Sequence, residues 1–536
     1  MRSSWILAAA AFPFVVAGLT VDETDDGIVV DTESENGFKV TIDSSGSITS
    51  LVYGGEEYQY ASTGSHIASG LGSGTTVNHT TEGNYAVVSA KADSDDFNLT
   101  HYYVFEDGKS VIYMGTYTVD QPSVGELRYI ARLVNIPQAY KEGEVSDTTG
   151  GDTVEGSDVF LVDGETRSKF YSSQRFIDDS GYCAYTEDSS VHACFLSDTR
   201  SREKSSGGPF FRDIDLNNGG DYHSVTFYMN SGHVQTEDFR TGFFGPYILS
   251  FSGSDIPSWD DFDVSFFEDL DLEGYVGSSG RGVVSGKASG TSDKFPAIVH
   301  LYNDEYQSWA NASSGTFTTP EVVEGEYTLA LYQGELLAAT TTVSVKAGET
   351  ASASISATND IITQERTTVW QIGEYDGTPQ GFLNADKQLR MHPSDDRMGA
   401  WKASAFVIDD SETSDFPMAI FADVNNEQGV QFSLSESIES DVIVRIATTL
   451  AFQSGRPQLT LNEASCDAPD APTKIDSRGV TRGAYRGFGE VYNCTFAADD
   501  LVQGDNTLKI SVVSGSGGEE FLSANYVIDA VELYYV

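Results

Sequence analysis

The stretch VIYMGTYTV, Val111 to Val119, decides the fold class, because its side chains change character with the period of two that marks a β-strand. FKVTI, Phe38 to Ile42, and VIVRI, Val442 to Ile446, repeat the pattern. Gly, Ser, Asn and Asp punctuate such runs along the chain, and convincing amphipathic helices are scarce. Many short antiparallel strands joined by turns predict sandwiches or jelly rolls, whose faces and loops commonly bind sugars.

At 536 residues the chain exceeds one compact core, so two to four domains are expected. Disorder is excluded as the main state because 30 Phe, 27 Tyr and 5 Trp supply ample surface to bury. Glycine has no three-residue period and no heptad is sustained, which excludes collagen-like and coiled-coil classes. The formal charge is −50, from 81 acidic and 31 basic residues. Such a field repels nucleic acid and anionic lipid, so neither is an expected partner.

The first 17 residues read as a signal peptide: Arg2 precedes the apolar run WILAAAAFPFVVA, Trp5 to Ala17, too short to span a bilayer. Cleavage after Ala17 predicts a secreted, extracellular protein, and no later stretch has the length of a membrane helix. Oxidising surroundings favour disulfides, and proximity in sequence pairs Cys183 with Cys194 and Cys466 with Cys494 out of three connectivities. Neither spacing resembles a zinc site. Sequons at Asn78, Asn98, Asn311 and Asn493 fit a secreted glycoprotein, although such triplets also arise by chance. A monomer is expected.

Texture divides the mature chain into residues 18–271, 272–358 and 359–536. The acidic, aromatic DDFDVSFFEDLD, Asp260 to Asp271, closes the first block. About ninety residues suit a fibronectin III-like sandwich in the second, and about 175 suit a jelly roll in the third. Trp370, Tyr375 and Trp401 of that third block are candidates to stack on sugars or to fill the core.

Positive charge gathers in the first block at Arg128, Arg132, Arg167, Lys169 and Arg175. In GELRYIARLV, alternation places Arg128, Ile130 and Arg132 on one side and Leu127, Tyr129 and Ala131 on the other. Four strand steps separate the arginines by roughly 13 Å, so they could grip anionic groups along an extended chain or remain solvated ion-pair partners. In ETRSKFYSS, Arg167, Lys169 and Tyr171 share a side, and nearby guanidinium charge with burial would lower the lysine pKa toward that of a general base; an exposed structural lysine is the alternative. In VTFYMNSGHVQTE, Val225, Phe227 and Met229 form a core face, Tyr228 and Asn230 face outward, and a Ser231-Gly232 turn presents His233.

These runs resemble, in order and wording, rhamnogalacturonan lyases of polysaccharide lyase family 4. The matching strings are GSHIASGLGS (64–73), GELRYIARL (125–133), EGSDVFLV with GETRSKFYSS (155–173), SSGGPFFRDI (205–214), YMNSGHVQTE (228–237), LRMHPSD (389–395) and DSRGVTRGAYRG (476–487). The resemblance implies an all-β multidomain fold: a large catalytic β-sandwich like galactose mutarotase, a fibronectin III-like module and a carbohydrate-binding-module-like jelly roll. It implies endo-acting β-elimination of rhamnogalacturonan I between rhamnose and O4 of galacturonic acid, leaving an unsaturated galacturonate. Lys169 matches the family's base, His233 its proton donor, Arg128 and Arg132 its substrate arginines, and Tyr228 an active-site tyrosine. A second aromatic common two residues earlier is Thr226 here.

Such chemistry needs the uronate charge masked before a modest base can remove the C5 proton, a task guanidinium performs where other pectate lyases employ calcium. No catalytic metal or other cofactor is expected, and structural calcium at Asp395-Asp396 or Asp409-Asp410 competes with solvated turns. The alternatives are a two-carboxylate hydrolase using a pair such as Asp178 and Asp179, a cell-wall adhesin, and a sugar epimerase.

Overall fold

The structure, a computed structural model, describes residues 18–93, 98–120, 126–139, 148–156, 159–168, 174–178, 181–218, 221–231, 237–389, 391–402, 405–473, 481, 489–515 and 517–536. The alternating run that opens at Val111 becomes the strand Val111–Thr118, inside an eight-stranded sheet. Its order is Gln138–Ala139, Gly181–Tyr185, His192–Leu196, Gly242–Ser252, Val111–Thr118, Asn98–Glu106, Tyr85–Asp93 and Thr76–Glu82. A four-stranded sheet faces it, in the order Leu216–Asn218, His223–Ser231, Glu126–Leu133 and His66–Ile67. Tyr103, Phe105, Ile112 and Met114 from one sheet meet Leu127, Tyr129, Val225 and Phe227 from the other in one core. The acidic stretch ending at Asp271 turns its Phe266 and Phe267 onto the outer side of the large sheet, against Tyr113 and Phe243.

The chain is all β and multidomain. A second core gathers Val284, Leu301, Leu329 and Leu331 in the fibronectin III-like module, and a third gathers Ile420, Val430, Val444 and Leu533 in the carbohydrate-binding-module-like domain. Trp370 and Trp401 belong to this third core, and Tyr375 is buried where the second and third domains meet, its hydroxyl donating to Glu532 at 2.8 Å. These rings fill the interior and do not form a sugar platform: Trp370 points inward from the strand Thr367–Gly373, while Tyr375 and Trp401 stand on strandless segments folded against the sheets. Cys183 and Cys194 are bonded across directly paired strands, and Cys466 is bonded to Cys494. Asn78, Asn311 and Asn493 are exposed and Asn98 is half-buried. Among the described residues no helix is long and apolar enough to cross a membrane.

Ser201–Asp215 carries no strand yet is buried throughout, so its polar groups must find partners inside the protein. Several find them in the second domain. Arg281 grips Glu203 with two bonds of 2.6 and 2.7 Å, Arg212 reaches Glu335 at 2.9 Å, and Gln307 donates to the Arg202 and Ser205 carbonyls at 2.9 and 2.6 Å. Replacing Arg281 by Met strands the Glu203 carboxylate in a dry interface, at a cost of about 3–5 kcal/mol. Urea unfolding of the intact protein should show a loss of that size, and adding Glu203→Leu should recover most of it.

Candidate active site

Antiparallel pairing of Glu126–Leu133 with His223–Ser231 sets Arg128 opposite Tyr228 and Arg132 opposite Ser224, with a register irregularity at Leu127/Arg128. Leu127, Tyr129, Ala131, Val225, Phe227 and Met229 enter the sandwich core, which leaves both arginines on the outer face. Arg128 donates from Nη1 to the Tyr228 hydroxyl at 2.7 Å and pairs with Glu126. Burial opposes its charge, but Tyr228 and Glu126 outweigh burial and raise its pKa. Tyr228 is 4% exposed rather than solvent-facing, because Val159 and Ile214 pack over its ring. Burial also holds its phenol far above the ordinary tyrosine range, so it keeps a proton to donate.

Arg132 is held differently. Its Nη1 donates to the Gly64 carbonyl at 2.9 Å and to His66 Nε2 at 2.9 Å, and its guanidinium lies 5.9 Å from the Tyr222 ring. Tyr222 in turn meets Tyr60 at 4.8 Å. Burial, reinforced by Arg132, lowers the His66 pKa to about 4, so the imidazole is neutral and its Nε2 can accept. Both hydrogen-bond partners of Arg132 are therefore uncharged, which leaves its positive charge available to an incoming anion, while Arg128 shares its own with Glu126.

Lys169, Tyr171 and His233 lie outside the described residues, as do residues 1–17, expected to be a signal peptide, and Asp179. The chain leads to Lys169 from the strand Glu165–Ser168 and toward His233 from Ser231. Ser168 pairs with Val159, which packs on Tyr228, and Ser231 pairs with Glu126, the partner of Arg128. Both approaches thus flank the Arg128–Tyr228 pair. Arg175 does not join it: its guanidinium is taken by Asp178 at 2.5 Å and Glu335 at 3.3 Å, on the side of the second domain.

The third domain also reaches this region. The Thr166 amide and hydroxyl both donate to Asp395 at 2.6 Å, and the Asp396 amide donates to the Gly164 carbonyl at 3.0 Å. Gly164 has φ +84°, which L side chains rarely adopt, and a Cβ there would also push the Asp396 carboxylate aside, so glycine is favoured at this contact. Arg397 takes the Asp395 carboxylate with bonds of 2.8 and 2.7 Å, which engages the oxygens a calcium ion would need. Asp409 and Asp410 are exposed, and among the described residues no cluster of three His, Cys, Asp or Glu could hold a metal ion.

Glu126, His66, Tyr60 and Tyr222 are site neighbours that sequence reasoning missed. His66 stands in the string GSHIASGLGS, but a strand of two residues offers no periodicity to flag it. Replacing Arg132 by Gln should raise the His66 pKa above about 4 yet leave it below the ordinary 6.5, since burial is the larger cause. Following the ring protons by NMR across pH measures this directly.

A family model described as rhamnogalacturonan lyase B, N-terminal, matches residues 19–274. Models described as polysaccharide lyase family 4, domain II and domain III, match residues 280–353 and 368–533. The rhamnogalacturonate lyase A of Emericella nidulans is 49% identical over 540 residues, covering 100% of both chains. That of Aspergillus aculeatus is 47% identical over 540 residues, again 100% of both, and a probable rhamnogalacturonate lyase A of Aspergillus flavus is 50% identical over 541 residues at the same coverage. With one side-chain constellation and three matched domains along its whole length, the chain belongs to polysaccharide lyase family 4.

Proposed function

We propose that this protein is a secreted endo-acting rhamnogalacturonan lyase, which cleaves the bond from rhamnose to O4 of galacturonic acid by β-elimination. The observation that carries this reading is the convergence on Arg128 and Tyr228 of the two chain segments leading to Lys169 and His233. Full-length similarity to proteins named rhamnogalacturonate lyase supports the substrate.

In this reading Arg128 neutralises the carboxylate of the reacting uronate, which lets negative charge develop at C5. Tyr228 supplies a further proton donor beside it. Neutral Lys169 takes the C5 proton on Nζ, the freed electron pair forms the C4–C5 double bond, and the C4–O4 bond breaks. Protonated His233 delivers its proton to the departing oxygen. The products are a rhamnose-ended chain with a new hydroxyl and an unsaturated galacturonate at the other new end. Arg132, roughly 13 Å along the strand, meets a second uronate of the same polymer. A molecule of charge −50 repels polygalacturonate at long range, so attraction comes from these short-range pairs and moderate salt relieves the repulsion.

Lys169→Ala should lower kcat by about 10²–10⁴. Arg132→Ala should act mainly through KM, raising it about tenfold. Both are read as ultraviolet absorbance of the unsaturated product from rhamnogalacturonan I. Activity should be bell-shaped in pH, since base and acid require opposite protonation, and should survive a chelator. Product without that absorbance would identify hydrolysis instead.

A further inference from the structure

At the end of the first sandwich away from Ser231, the strands Glu126–Leu133 and His223–Ser231 finish together, and the chain crosses at Val134–Pro137 to the opposite sheet. A crevice of about 620 Å³ opens there, within the roughly 300–1,000 Å³ usual for ligand sites. Leu133 and Tyr222 are among its walls, so it begins one residue past Arg132 and shares the ring that lies 5.9 Å from that guanidinium.

We propose that this crevice is a sugar subsite for a neutral residue, the rhamnose that adjoins the uronate held by Arg132. The assignment rests on the function proposed above for its substrate, and on the crevice itself for its chemistry.

Three observations carry it. His223 lines the crevice at 3% exposure, and neither ring nitrogen has a hydrogen-bond partner; the Pro137 backbone approaches the ring without meeting hydrogen-bond geometry. Both nitrogens are shielded from the crevice as the ring stands, and their unmet polarity suits a ligand that both donates and accepts, as a sugar hydroxyl does, once the ring turns to meet it. Burial lowers its pKa to about 4, so it is neutral and offers one donor and one acceptor. Next, Glu187, Asp188 and Asp221 stand exposed at the rim. Asp188 Oδ1 is taken by Thr186 and Ser190, so Glu187 and Asp221 are the acceptors for hydroxyls; all three repel a second carboxylate, and an alternating polymer places a neutral sugar beside each uronate. Finally, half-buried Tyr222 lines the crevice 5.9 Å from the Arg132 guanidinium and is backed by Tyr60 at 4.8 Å, which gives the crevice an aromatic wall on the Arg132 side. A metal ion is a poorer occupant, since these groups form no cluster suited to one among the described residues.

Titration of the intact protein with methyl rhamnoside should shift the His223 ring resonances saturably, whereas methyl galacturonate should not. Steady-state kinetics on rhamnogalacturonan should show His223→Phe raising KM about fivefold with kcat within twofold. His223→Gln, which keeps a donor and an acceptor, should restore most of the loss. Joint Glu187→Gln and Asp188→Asn, both exposed, should admit methyl galacturonate to the crevice. No saturable shift with the rhamnoside, a stronger response to the galacturonate in the unaltered protein, or an unchanged KM in His223→Phe would overturn the assignment. The titration needs no turnover: a protein that binds the rhamnoside at His223 but yields no unsaturated product overturns the proposed reaction and leaves the neutral-sugar pocket in place.

Discussion

A guanidinium group can be buried only where acceptors or aromatic faces replace water, and that requirement organises the centre of this molecule. Arg202 lies between the Phe176 and Phe227 rings at 4.0 and 3.9 Å and donates to the Tyr228 carbonyl. Arg240 donates to the Ser205 and Asn303 carbonyls, and Arg281 closes on Glu203. Together they turn a strandless segment into an internal wall that backs the strand bearing Tyr228 and fixes it against the second domain. The same cation is used in two ways: buried between rings or bonded to carbonyls and carboxylates it is mortar, and half-buried with uncharged partners, as at Arg132, it keeps a charge that the proposed function uses for binding.

That economy matters on a chain with 31 basic residues against 81 acidic ones. Most of the buried arginines described are committed to internal carboxylates or carbonyls. Arg132 escapes because its neighbour His66 is too buried to carry charge, so a neutral nitrogen orients the guanidinium without cancelling it. In the proposed function, attraction of an acidic sugar at short range is thus compatible with a surface that repels polyanions at a distance.

The strands of the first sandwich were legible because alternation is a property of each segment alone. Arg128 and Arg132 could be assigned to one face from GELRYIARL, and Val225, Phe227 and Met229 to the core from theirs. What alternation could not supply was the cover over the outer face. Tyr228 and Asn230 point away from the core as expected, yet at 4% and 1% exposure they are enclosed by segments distant in sequence. Arg175 was grouped with the site by charge, whereas a partner 160 positions away, Glu335, draws it to the second domain. His66, Tyr60 and Tyr222 came together only through long-range pairing. Their isolated positions in the sequence carry no period. Trp370 and Trp401 show the converse limit: residue type suits both stacking and packing, and only the opposing sheet decides.

The contact between Thr166 and Asp395 joins residues 229 positions apart and ties the first domain directly to the third. Since the second domain already bridges both along the backbone, the three modules close into a ring of contacts rather than a string. Inheritance of such a chain is constrained accordingly: a recombination event that exchanged the C-terminal module alone would have to import an acidic loop shaped to the glycine at 164. The modules therefore travel through evolution more readily as a set than as interchangeable parts.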